Sequence, residues 1–337
     1  MTPSSANLPR HIMVTGGCGY IGSALVPHLL QQPEVDKIVI VDNLAKGRLE
    51  SVSYLFDRYP GRVQFVRTDI RRPDQMDTAV ELHGVPEAIV HLAGTIDAAS
   101  SLDEDKRILC EQVNHEATVA LAERAVGWGV STLVAHSSTS VYGHGGLDVL
   151  DEDSPCDPVT PYGKTKYASE RILGLSSDDT RIVVFRPASV FGWAPGYRYE
   201  VAVNLLALYA HVGVPLTVYR TAETENRPYL AIDDCVASLD MALRAPQPLA
   251  GQVWNTVSFN ATFAEILEVI KELYPSAAVR YTNAELVNQI SFTVSGQRLY
   301  DQGFTPTGDL RAALSGVRDQ LNNLAELNAG WLDGRIG

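Results

Sequence analysis

The segment from His11 to Gly22 constrains the fold of this chain more than any other. It reads HIMVTGGCGYIG, a short apolar run followed by glycines with the spacing GxxGxxG. Residues Tyr20–Gln31 continue it with the apolar pattern of a helix. A strand that enters a helix through such a turn lets a pyrophosphate approach the backbone, where the N–H groups and the positive dipole end of the helix meet it. The segment therefore predicts a dinucleotide-binding strand–turn–helix unit.

A carboxylate follows at the position where such a unit holds a ribose. Asp42 ends the next apolar run, 20 residues after Gly22. It can accept hydrogen bonds from the adenosine ribose hydroxyls and would repel a 2′-phosphate, so NAD is favoured over NADP. Lys46 and Arg48 lie close by in sequence and weaken this choice slightly, although solvated loop charges are the simpler interpretation.

Short apolar runs alternate with helical patterns through the first half of the chain. The predicted strands cover His11–Gly16, Lys37–Asp42, Arg62–Asp69, Glu87–Gly94, Ser131–Ser138 and Thr180–Pro187, and two long helical patterns cover Lys106–Trp128 and Tyr162–Leu175. Continuous apolar runs indicate strands that are buried on both faces. Their alternation with helices predicts an α/β fold, a Rossmann-like doubly wound parallel sheet.

The alternation loosens after Pro187, where prolines, glycines and turns interrupt it. Asp233–Arg244 still has a helical pattern and Gln252–Thr256 that of a strand, so the chain should return to the sheet there. We predict two units: an NAD-binding Rossmann domain of residues 1–187, with 229–257 returning to the sheet, and a smaller substrate-binding lobe of 188–228 and 258–337. Substrate should bind between them, at the carboxyl ends of the strands.

A Tyr-x-x-x-Lys pair supplies candidate catalytic groups. Tyr162 and Lys166 would share one face of a helix. An ammonium beside a phenol stabilises the phenolate, which predicts a pKa for Tyr162 below its usual value of about 10. Surface helices often carry such a pair, but here it follows SSTSVYG, which places the hydroxyl of Ser138 at the end of a predicted strand. The three side chains together indicate acid–base chemistry beside a dinucleotide.

Composition excludes several other classes. Lys and Arg number 27 against 40 Asp and Glu, a net charge of −13, which argues against nucleic-acid binding. The start of the sequence does not resemble a signal peptide, and no run of about 18 apolar residues suggests a membrane span, so we expect a cytoplasmic protein. The cysteines Cys18, Cys110, Cys156 and Cys235 lie far apart, and no histidine pair has metal-ligand spacing, so we expect neither disulfides nor a metal site.

These motifs resemble those of the extended short-chain dehydrogenases/reductases, the NAD-dependent epimerase/dehydratase family, over nearly the whole chain. TGGCGYIG resembles the family glycine motif, Asp69-Ile70 its adenine-binding pair, HLAG its HLAA, and Asn114 the Asn of its NVxGT helix. SSTSVYG and YGKTK resemble its catalytic segments. FRPASVFG resembles RPxNVYG, and RPYLAIDD resembles RDYxxVxD.

The resemblance implies a role for each matched position. The implied catalytic residues are Ser138, Tyr162 and Lys166. The implied NAD-binding residues are Gly16, Gly19, Tyr20, Ile21, Gly22, Asp42, Asn43, Asp69, Ile70, Leu92, Ala93, Gly94, Asn114, Tyr162, Lys166 and Pro187. The implied substrate-binding residues are Ser138, Thr139, Ser140, Ser189, Asn204 and Arg227.

The resemblance also implies a reaction that begins with oxidation of a nucleotide-activated sugar. The tyrosine removes a proton from a sugar hydroxyl, usually O4, while hydride moves to NAD⁺; Ser138 would hold the same oxygen and Lys166 the nicotinamide ribose. Family 4,6-dehydratases carry Asp-Glu directly after the serine, and decarboxylases usually carry Glu in the second position. Thr139 and Ser140 stand there instead, as in 4-epimerases, which predicts a nucleotide-sugar epimerase acting at C4.

Two departures from the family pattern keep alternatives open. Ser189 replaces the Asn of RPxNVYG, and the second diphosphate-binding Arg is not evident near residues 280–292. A net dehydrogenase or reductase on another sugar or alcohol therefore stays possible. A dehydratase also stays possible, and Glu200, Glu223 or Glu225 could then supply the acid that protonates the departing hydroxyl. An NAD-sensing module without activity is disfavoured by the complete catalytic set.

The resemblance further implies a homodimer. The helical patterns Lys106–Trp128 and Tyr162–Leu175 resemble the pair that forms an intersubunit four-helix bundle in this family. Val119, Ala122 and Ala125 are the apolar positions that we expect to be available for that contact.

Overall fold

A computed structural model gives the chain a parallel sheet of seven strands and describes residues 7–95, 103–143, 148–220, 223–283 and 291–323. Within these ranges the strands are β1 (His11–Thr15), β2 (Lys37–Asp42), β3 (Val63–Arg67), β4 (Ala88–His91), β5 (Thr132–His136), β6 (Val149–Leu150), β7 (Arg181–Pro187), β8 (Ser189–Phe191), β9 (Leu216–Tyr219), β10 (Asn226–Ala231), β11 (Val253–Thr256), β12 (Phe259–Thr262), β13 (Val279–Thr282) and β14 (Thr293–Val294).

Helices alternate with these strands. They are α1 (Tyr20–Leu30), α2 (Tyr54–Arg58), α3 (Pro73–His83), α4 (Glu104–Cys110), α5 (Ala117–Trp128), α6 (Pro161–Ser169), α7 (Ala202–Val212), α8 (Ile232–Arg244), α9 (Phe263–Leu273), α10 (Gln297–Tyr300) and α11 (Leu310–Asn323). None of the helices in the described ranges is long and apolar enough to cross a membrane.

The large sheet has the strand order β11-β7-β5-β4-β1-β2-β3, and every neighbouring pair is parallel. The order reverses at β1, between β2 and β4, which is the point where a doubly wound sheet opens a crevice at the carboxyl ends of its strands. The predicted Rossmann-like fold is therefore confirmed. The strand predicted at Gln252–Thr256 is present as β11, beside β7 at the sheet edge.

The long helical pattern predicted for Lys106–Trp128 is divided in the structure. A π-helical turn, Glu111–Glu116, separates α4 from α5, and it contains the buried Asn114. Such a turn shifts the register of the side chains and is frequent at functional sites. The pattern predicted for Tyr162–Leu175 is α6 followed by a 3₁₀ segment, Glu170–Leu175.

A second apolar core lies among the elements that follow β7. The sheet β12-β10-β8 and the helices α7, α9 and α11 contribute to it, through side chains such as Phe191, Leu208, Ile270 and Leu314. Strand β10 is the middle strand of this small sheet and runs parallel to β8 and antiparallel to β12. Because β8 follows β7 directly in the chain, the small sheet begins where β7 of the large sheet ends.

The apolar positions expected to face a second subunit lie inside the chain. Val119, Ala122 and Ala125 are buried in a core cluster with strands of the large sheet, so that expectation is wrong. The exposed large apolar side chains in the described part of this region are instead Ile108 and Leu109 on α4, Val126 on α5 and Tyr167 on α6. The sequence pattern shows only that one face of a helix is apolar, and the fold turns that face of α5 toward the sheet.

Candidate active site

Glycines shape the turn between β1 and α1. Gly16 has a φ of +71°, which L side chains rarely adopt, and a Cβ atom there would lie 2.6 Å from the main-chain nitrogen of Ala93. A Cβ atom on Gly22 would lie 2.5 Å from the Cα atom of Gly17. Only glycine at these positions lets the first turn of α1 pack this closely against the preceding loop and the segment after β4.

The N-terminus of α1 fits an anionic ligand. Gly19 precedes the helix, and among the described residues no side chain caps it. A Cβ atom on Gly19 would meet only the main-chain oxygen of Gly16, at 3.1 Å, so the side of Gly19 to which that atom would point is open. The N–H groups of the first turn, to which Tyr20 and Ile21 belong, have no partner within the helix and can donate to a pyrophosphate.

Asp42 lies buried at the end of β2, facing the glycine turn. Its Oδ2 atom accepts a hydrogen bond from the main-chain nitrogen of Cys18 at 3.1 Å, and its Oδ1 atom accepts one from Leu44 at 2.8 Å. Burial raises the pKa of this carboxyl group, which the two N–H donors oppose. Each oxygen has a further lone pair that a ribose hydroxyl could use.

Asn43 and Asp69, which are also predicted to bind the cofactor, form an edge beside Asp42 that side-chain hydrogen bonds hold in place. Asn43 donates from Nδ2 to Oδ2 of Asp69 at 3.1 Å. Arg71 holds the same carboxylate through its side chain and main chain and lowers the pKa of Asp69 to about 2. A cavity of about 510 Å³ opens here, lined in part by Asp69, Ile70, Arg71 and Gln112.

The loop after β4 runs from Leu92 to Thr95 and is held by Asn114. The amide of this buried side chain accepts from the main-chain nitrogen of Thr95 at 2.8 Å and donates to its oxygen at 2.9 Å. The loop approaches Lys166: a Cβ atom on Gly94 would lie 3.4 Å from Nζ of that lysine. Asn114 therefore shapes the predicted cofactor loop through the backbone.

Ser138 and Tyr162 come together at the carboxyl ends of the strands. Ser138 follows β5, and its Oγ accepts a hydrogen bond from the main-chain nitrogen of Ser140 at 3.1 Å. Tyr162 lies in the first turn of α6, which Thr160 caps by accepting from Gly163 at 3.1 Å. The phenol of Tyr162 is buried close to the hydroxyl of Ser138.

Lys166 lies one helical turn further along α6. Its Nζ atom donates to the main-chain oxygen of His136 at 2.8 Å. The side chain is buried, and burial lowers the pKa of its ammonium group to about 8. Burial lowers the pKa of His91 and of His136, and the nearby charge of Lys166 lowers both further, so the two imidazoles are neutral.

The prediction that Lys166 holds the pKa of Tyr162 below its usual value is wrong for the polypeptide alone. Burial raises the pKa of Tyr162, because a phenolate loses its hydration inside the protein. Hydrogen bonding with Ser138 and the positive charge of Arg198 lower it only in part. The spacing of the Tyr-x-x-x-Lys pair correctly predicts one helix face, but it carries no information on how deeply that face is buried.

The remaining predicted residues around Ser138 differ in exposure. Thr139 is buried and its hydroxyl donates to the main-chain oxygen of Pro187 at 3.4 Å. The Oγ of Ser140 accepts a hydrogen bond from Ser138 at 3.1 Å. Ser189 is exposed at the start of β8, where it pairs with Tyr229 of β10.

Asn204, which the resemblance places among the substrate-binding residues, uses its side-chain amide for hydrogen bonds within the protein. It is completely buried, its Oδ1 atom accepts from the main-chain nitrogen of Gly192 at 3.0 Å, and its Nδ2 atom donates to the hydroxyl of Tyr20 at 3.3 Å. Tyr20 in turn donates to the main-chain oxygen of Gly192 at 2.6 Å. These three residues join α1 to α7, and the structure does not bring the Asn204 amide into the open cleft.

Two arginines among the elements that follow β7 have only long contacts with carboxylates. Arg227, on β10, has its guanidinium 3.7 Å from a carboxylate oxygen of Glu225 and 5.6 Å from the ring centre of Phe292. The second, Arg198, lies in the segment before α7, and its charge acts on both Tyr20 and Tyr162. No motif singled out Arg198 in the sequence, because its proximity to Tyr162 is created only by the fold.

A model of the NAD dependent epimerase/dehydratase family matches residues 12–256, which include the glycine turn, Asp42 and the Ser138–Tyr162–Lys166 cluster. The chain belongs to this family. Family membership makes it an NAD-dependent enzyme of the epimerase/dehydratase type.

Named relatives within the family are sugar epimerases. UDP-glucose 4-epimerase of Mycolicibacterium smegmatis is 32% identical over 242 residues, 71% of this chain and 74% of the relative. UDP-arabinose 4-epimerase 1 of Arabidopsis thaliana is 27% identical over 287 residues, 78% of this chain and 67% of the relative. This chain spans only 60% and 45% of the length of two further plant relatives, which are named as putative or probable UDP-arabinose 4-epimerases.

A solved structure shares the fold. The UDP-glucuronic acid 4-epimerase of Bacillus cereus, in complex with UDP-glucuronic acid and NAD, matches with a TM-score of 0.82 at 23% identity, over 93% of this chain and 99% of that one. At this identity the match shows that the two proteins have the same fold.

Proposed function

We propose that this family member is a nucleotide-sugar epimerase that inverts carbon 4 through a transient keto-sugar. One observation carries the proposal: Tyr162 and Ser138 lie together beside Lys166, while Thr139 and Ser140 supply only hydroxyl groups where eliminating relatives have acids. Sugar 4-epimerases among the named relatives support the same reaction and suggest UDP as the nucleotide.

The surroundings of Thr139 and Ser140 favour reversible oxidation over elimination. Expelling water from a sugar requires a positioned acid that protonates the departing hydroxyl. Thr139 donates its hydroxyl hydrogen to the main-chain oxygen of Pro187, and Ser140 is bonded to Ser138. Neither side chain can supply a proton at neutral pH, so the keto-sugar persists until it is reduced on its other face.

Tyr162 is the proposed general base and acid. Its phenolate takes the proton of the sugar hydroxyl, and a pKa raised by burial makes it a strong base once it is ionised. Ser138, whose hydroxyl lies close to the phenol of Tyr162, would hold the same sugar oxygen. Returning the proton from Tyr162 to the oxygen completes the cycle, so the enzyme ends each turnover in its starting protonation state.

The residues around the crevice fit NAD, which when bound would supply a reversible acceptor for the hydride of the sugar carbon. The uncapped first turn of α1 would hold the pyrophosphate, Asp42 the ribose hydroxyls, and the edge formed by Asn43, Asp69 and Ile70 the adenine. Lys166, which lies beside Gly94, would hold the nicotinamide ribose. Asn114 and Pro187 act through the loops that they support.

The substrate is proposed to lie between the carboxyl ends of the large sheet and the second apolar core. The described parts of residues 188–228 and 258–337 would form the substrate-binding lobe, and the remainder the NAD-binding domain. Arg227 suits bidentate contact with the diphosphate, because its guanidinium is planar and has only one long contact with a carboxylate. Ser189 is exposed on the neighbouring strand, where it pairs with Tyr229, two residues after Arg227.

A homodimer is proposed through α4 and α6. Ile108, Leu109 and Tyr167 expose 46%, 38% and 46% of their surface, and the two helices that carry them pack against each other. Covering these side chains with the same face of a second copy would remove apolar surface from water.

Product analysis tests the reaction. The purified protein is incubated with UDP-glucose, UDP-glucuronic acid and UDP-arabinose, and each product is examined by mass spectrometry and proton NMR. We expect an unchanged mass with a new spectrum for at least one sugar and no accumulation of NADH. A product lighter by one water would indicate a dehydratase, and steady NADH formation a net dehydrogenase; either result contradicts the proposal.

A further inference from the structure

Glu170 continues the helix face that carries Tyr162 and Lys166. It follows Lys166 by four residues, as Lys166 follows Tyr162, so the three side chains lie on one face. Its carboxylate is buried, and Oε1 accepts a hydrogen bond from Oγ of Ser137 at 2.6 Å. Ser137 directly precedes Ser138 in the chain. This contact therefore ties the helix face to the end of β5, where the proposed catalytic serine lies.

Arg186 fixes the orientation of this carboxylate. It lies near the end of β7, is buried, and donates from Nε to Oε1 of Glu170 at 2.8 Å and from Nη2 to Oε2 at 2.7 Å. Its Nη1 atom donates to the hydroxyl of Tyr142 at 3.0 Å. Tyr142 is completely buried and follows Ser138 by four residues. The ion pair is thus linked to the chain on both sides of Ser138, through Ser137 before it and Tyr142 after it.

Stability alone does not explain an ion pair that is buried this deeply. Removing two charges from water costs about as much as their attraction returns, and apolar side chains of the same volume often stabilise a core equally well. What apolar side chains cannot supply is direction. The two parallel N–H···O bonds between Arg186 and Glu170 hold the carboxylate in one plane, so its oxygen meets the hydroxyl of Ser137 at a defined place.

We propose that Glu170 and Arg186 are positioning residues for the active site. The pair keeps the segment of Ser138 in register with the helix face that carries Tyr162 and Lys166. A catalytic group displaced by about 1 Å can cost about 10²-fold in rate, so this register matters for the reaction more than for the fold. The inference rests on the proposed function where it concerns turnover. Its effect on Lys166, which would hold the nicotinamide ribose, is measurable without a substrate.

Three variants weaken the link at different points. Glu170→Gln removes the charge at constant volume, Arg186→Lys keeps the charge but loses the paired bonds, and Ser137→Ala removes only the contact with the end of β5. The control is Asp240→Asn, which removes the charge from a different ion pair, with Arg244 near the C-terminal end of α8. For each protein we measure kcat and KM with the UDP-sugar that is converted, the affinity for NADH, and stability in urea.

Positioning predicts a loss of kcat that stability does not explain. We expect Glu170→Gln to lower kcat about tenfold or more with KM within threefold, and to weaken NADH binding about threefold. Arg186→Lys should lose less of kcat, and Ser137→Ala should lower kcat at least threefold at nearly unchanged stability. Asp240→Asn should lose stability but keep kcat and NADH affinity within twofold.

The opposite pattern identifies a purely structural pair. If Glu170→Gln and Ser137→Ala fold and keep kcat within twofold of the wild type, the inference is overturned, whatever their stability. If Glu170→Gln does not fold, Ser137→Ala decides by the same limits, because it leaves the ion pair intact. A wild type that converts no UDP-sugar contradicts the proposed function. NADH affinity then decides the inference, with a threefold loss in support and a smaller change against.

Discussion

The ammonium nitrogen of Lys166 lies 2.8 Å from the main-chain oxygen of His136 and donates a hydrogen bond to it. Both residues are buried, and one carbonyl does not replace the hydration that an ammonium group has in water, so its pKa falls to about 8. The lysine that the proposed reaction requires therefore destabilises the fold when it is charged.

Replacing Lys166 with methionine should stabilise the protein at neutral pH. The unfolded lysine has a pKa of about 10.4, so between pH 8 and 10 the unfolded chain binds more protons than the native one, and wild-type stability rises with pH. Below pH 8 the full cost of burying the charge is present, on the order of 3 kcal/mol. Lys166→Met should gain most of it at pH 7 and progressively less toward pH 10.

Urea denaturation of the nucleotide-free protein measures this difference. The control is Lys164→Met, at an exposed position on the same helix. A gain for Lys166→Met that does not diminish with pH, or one that Lys164→Met reproduces, would contradict the electrostatic explanation.

Asp42 should determine the choice of cofactor. Asp42→Ala should weaken NAD binding by roughly 1–3 kcal/mol, because the ribose hydroxyls and the N–H groups of Cys18 and Leu44 lose a charged acceptor. Fluorescence titration with NADH and NADPH measures both affinities, and Asp42→Asn, which keeps one acceptor oxygen, is the comparison. Wild-type protein that binds NADPH as tightly as NADH would refute this assignment.

A charge on the exposed face of α4 should separate the proposed dimer. Leu109→Glu would place a carboxylate among Ile108 and Tyr167, where association would bury it unpaired. We expect light scattering to give the dimer mass for the wild type and the monomer mass for this variant. Leu82→Glu, at a 72% exposed position on α3, should remain dimeric. A monomeric wild type at micromolar concentration is the opposing result.

Removing the phenol hydroxyl should affect turnover and leave cofactor binding intact. Tyr162→Phe should lower kcat by about 10²–10⁴-fold, the usual effect of losing a general base.

In the wild type, burial raises the pKa of Tyr162, so the rate should increase as the pH rises above neutrality. Arg198→Gln should move this increase to higher pH, because a charge that favours the phenolate is lost. Tyr167→Phe, on the exposed face of α6, serves as the control. If the pH profile of Arg198→Gln is the same as that of the wild type, Tyr162 is not the titrating group.

The features that the sequence predicts well are those encoded by local spacing. Gly16 has a positive φ and Gly22 contacts Gly17 within the turn between β1 and α1, and Tyr162 and Lys166 share a helix face through their separation alone. The strands of the large sheet are recognisable because burial on both faces produces continuous apolar runs.

What the sequence does not predict depends on contacts between distant segments. The pKa of Tyr162 follows from how deeply α6 is buried, and the closeness of Arg198 from the packing of its segment on α1. Asn204 matches a substrate-binding position in the family, yet its amide is bonded to Gly192 and Tyr20, the latter 184 residues away in the chain. Such partners become visible only when the fold is known.

The fate of the hydrogen on carbon 4 tests the central claim most directly. The UDP-sugar that gives a product is prepared with deuterium on carbon 4 and converted in ordinary water, and the product is examined by deuterium and proton NMR. Return of the hydride within the site predicts the carbon-4 epimer with its deuterium still on carbon 4. Loss of deuterium to water, its transfer to carbon 6 with loss of water, or its accumulation in reduced NAD would contradict the account.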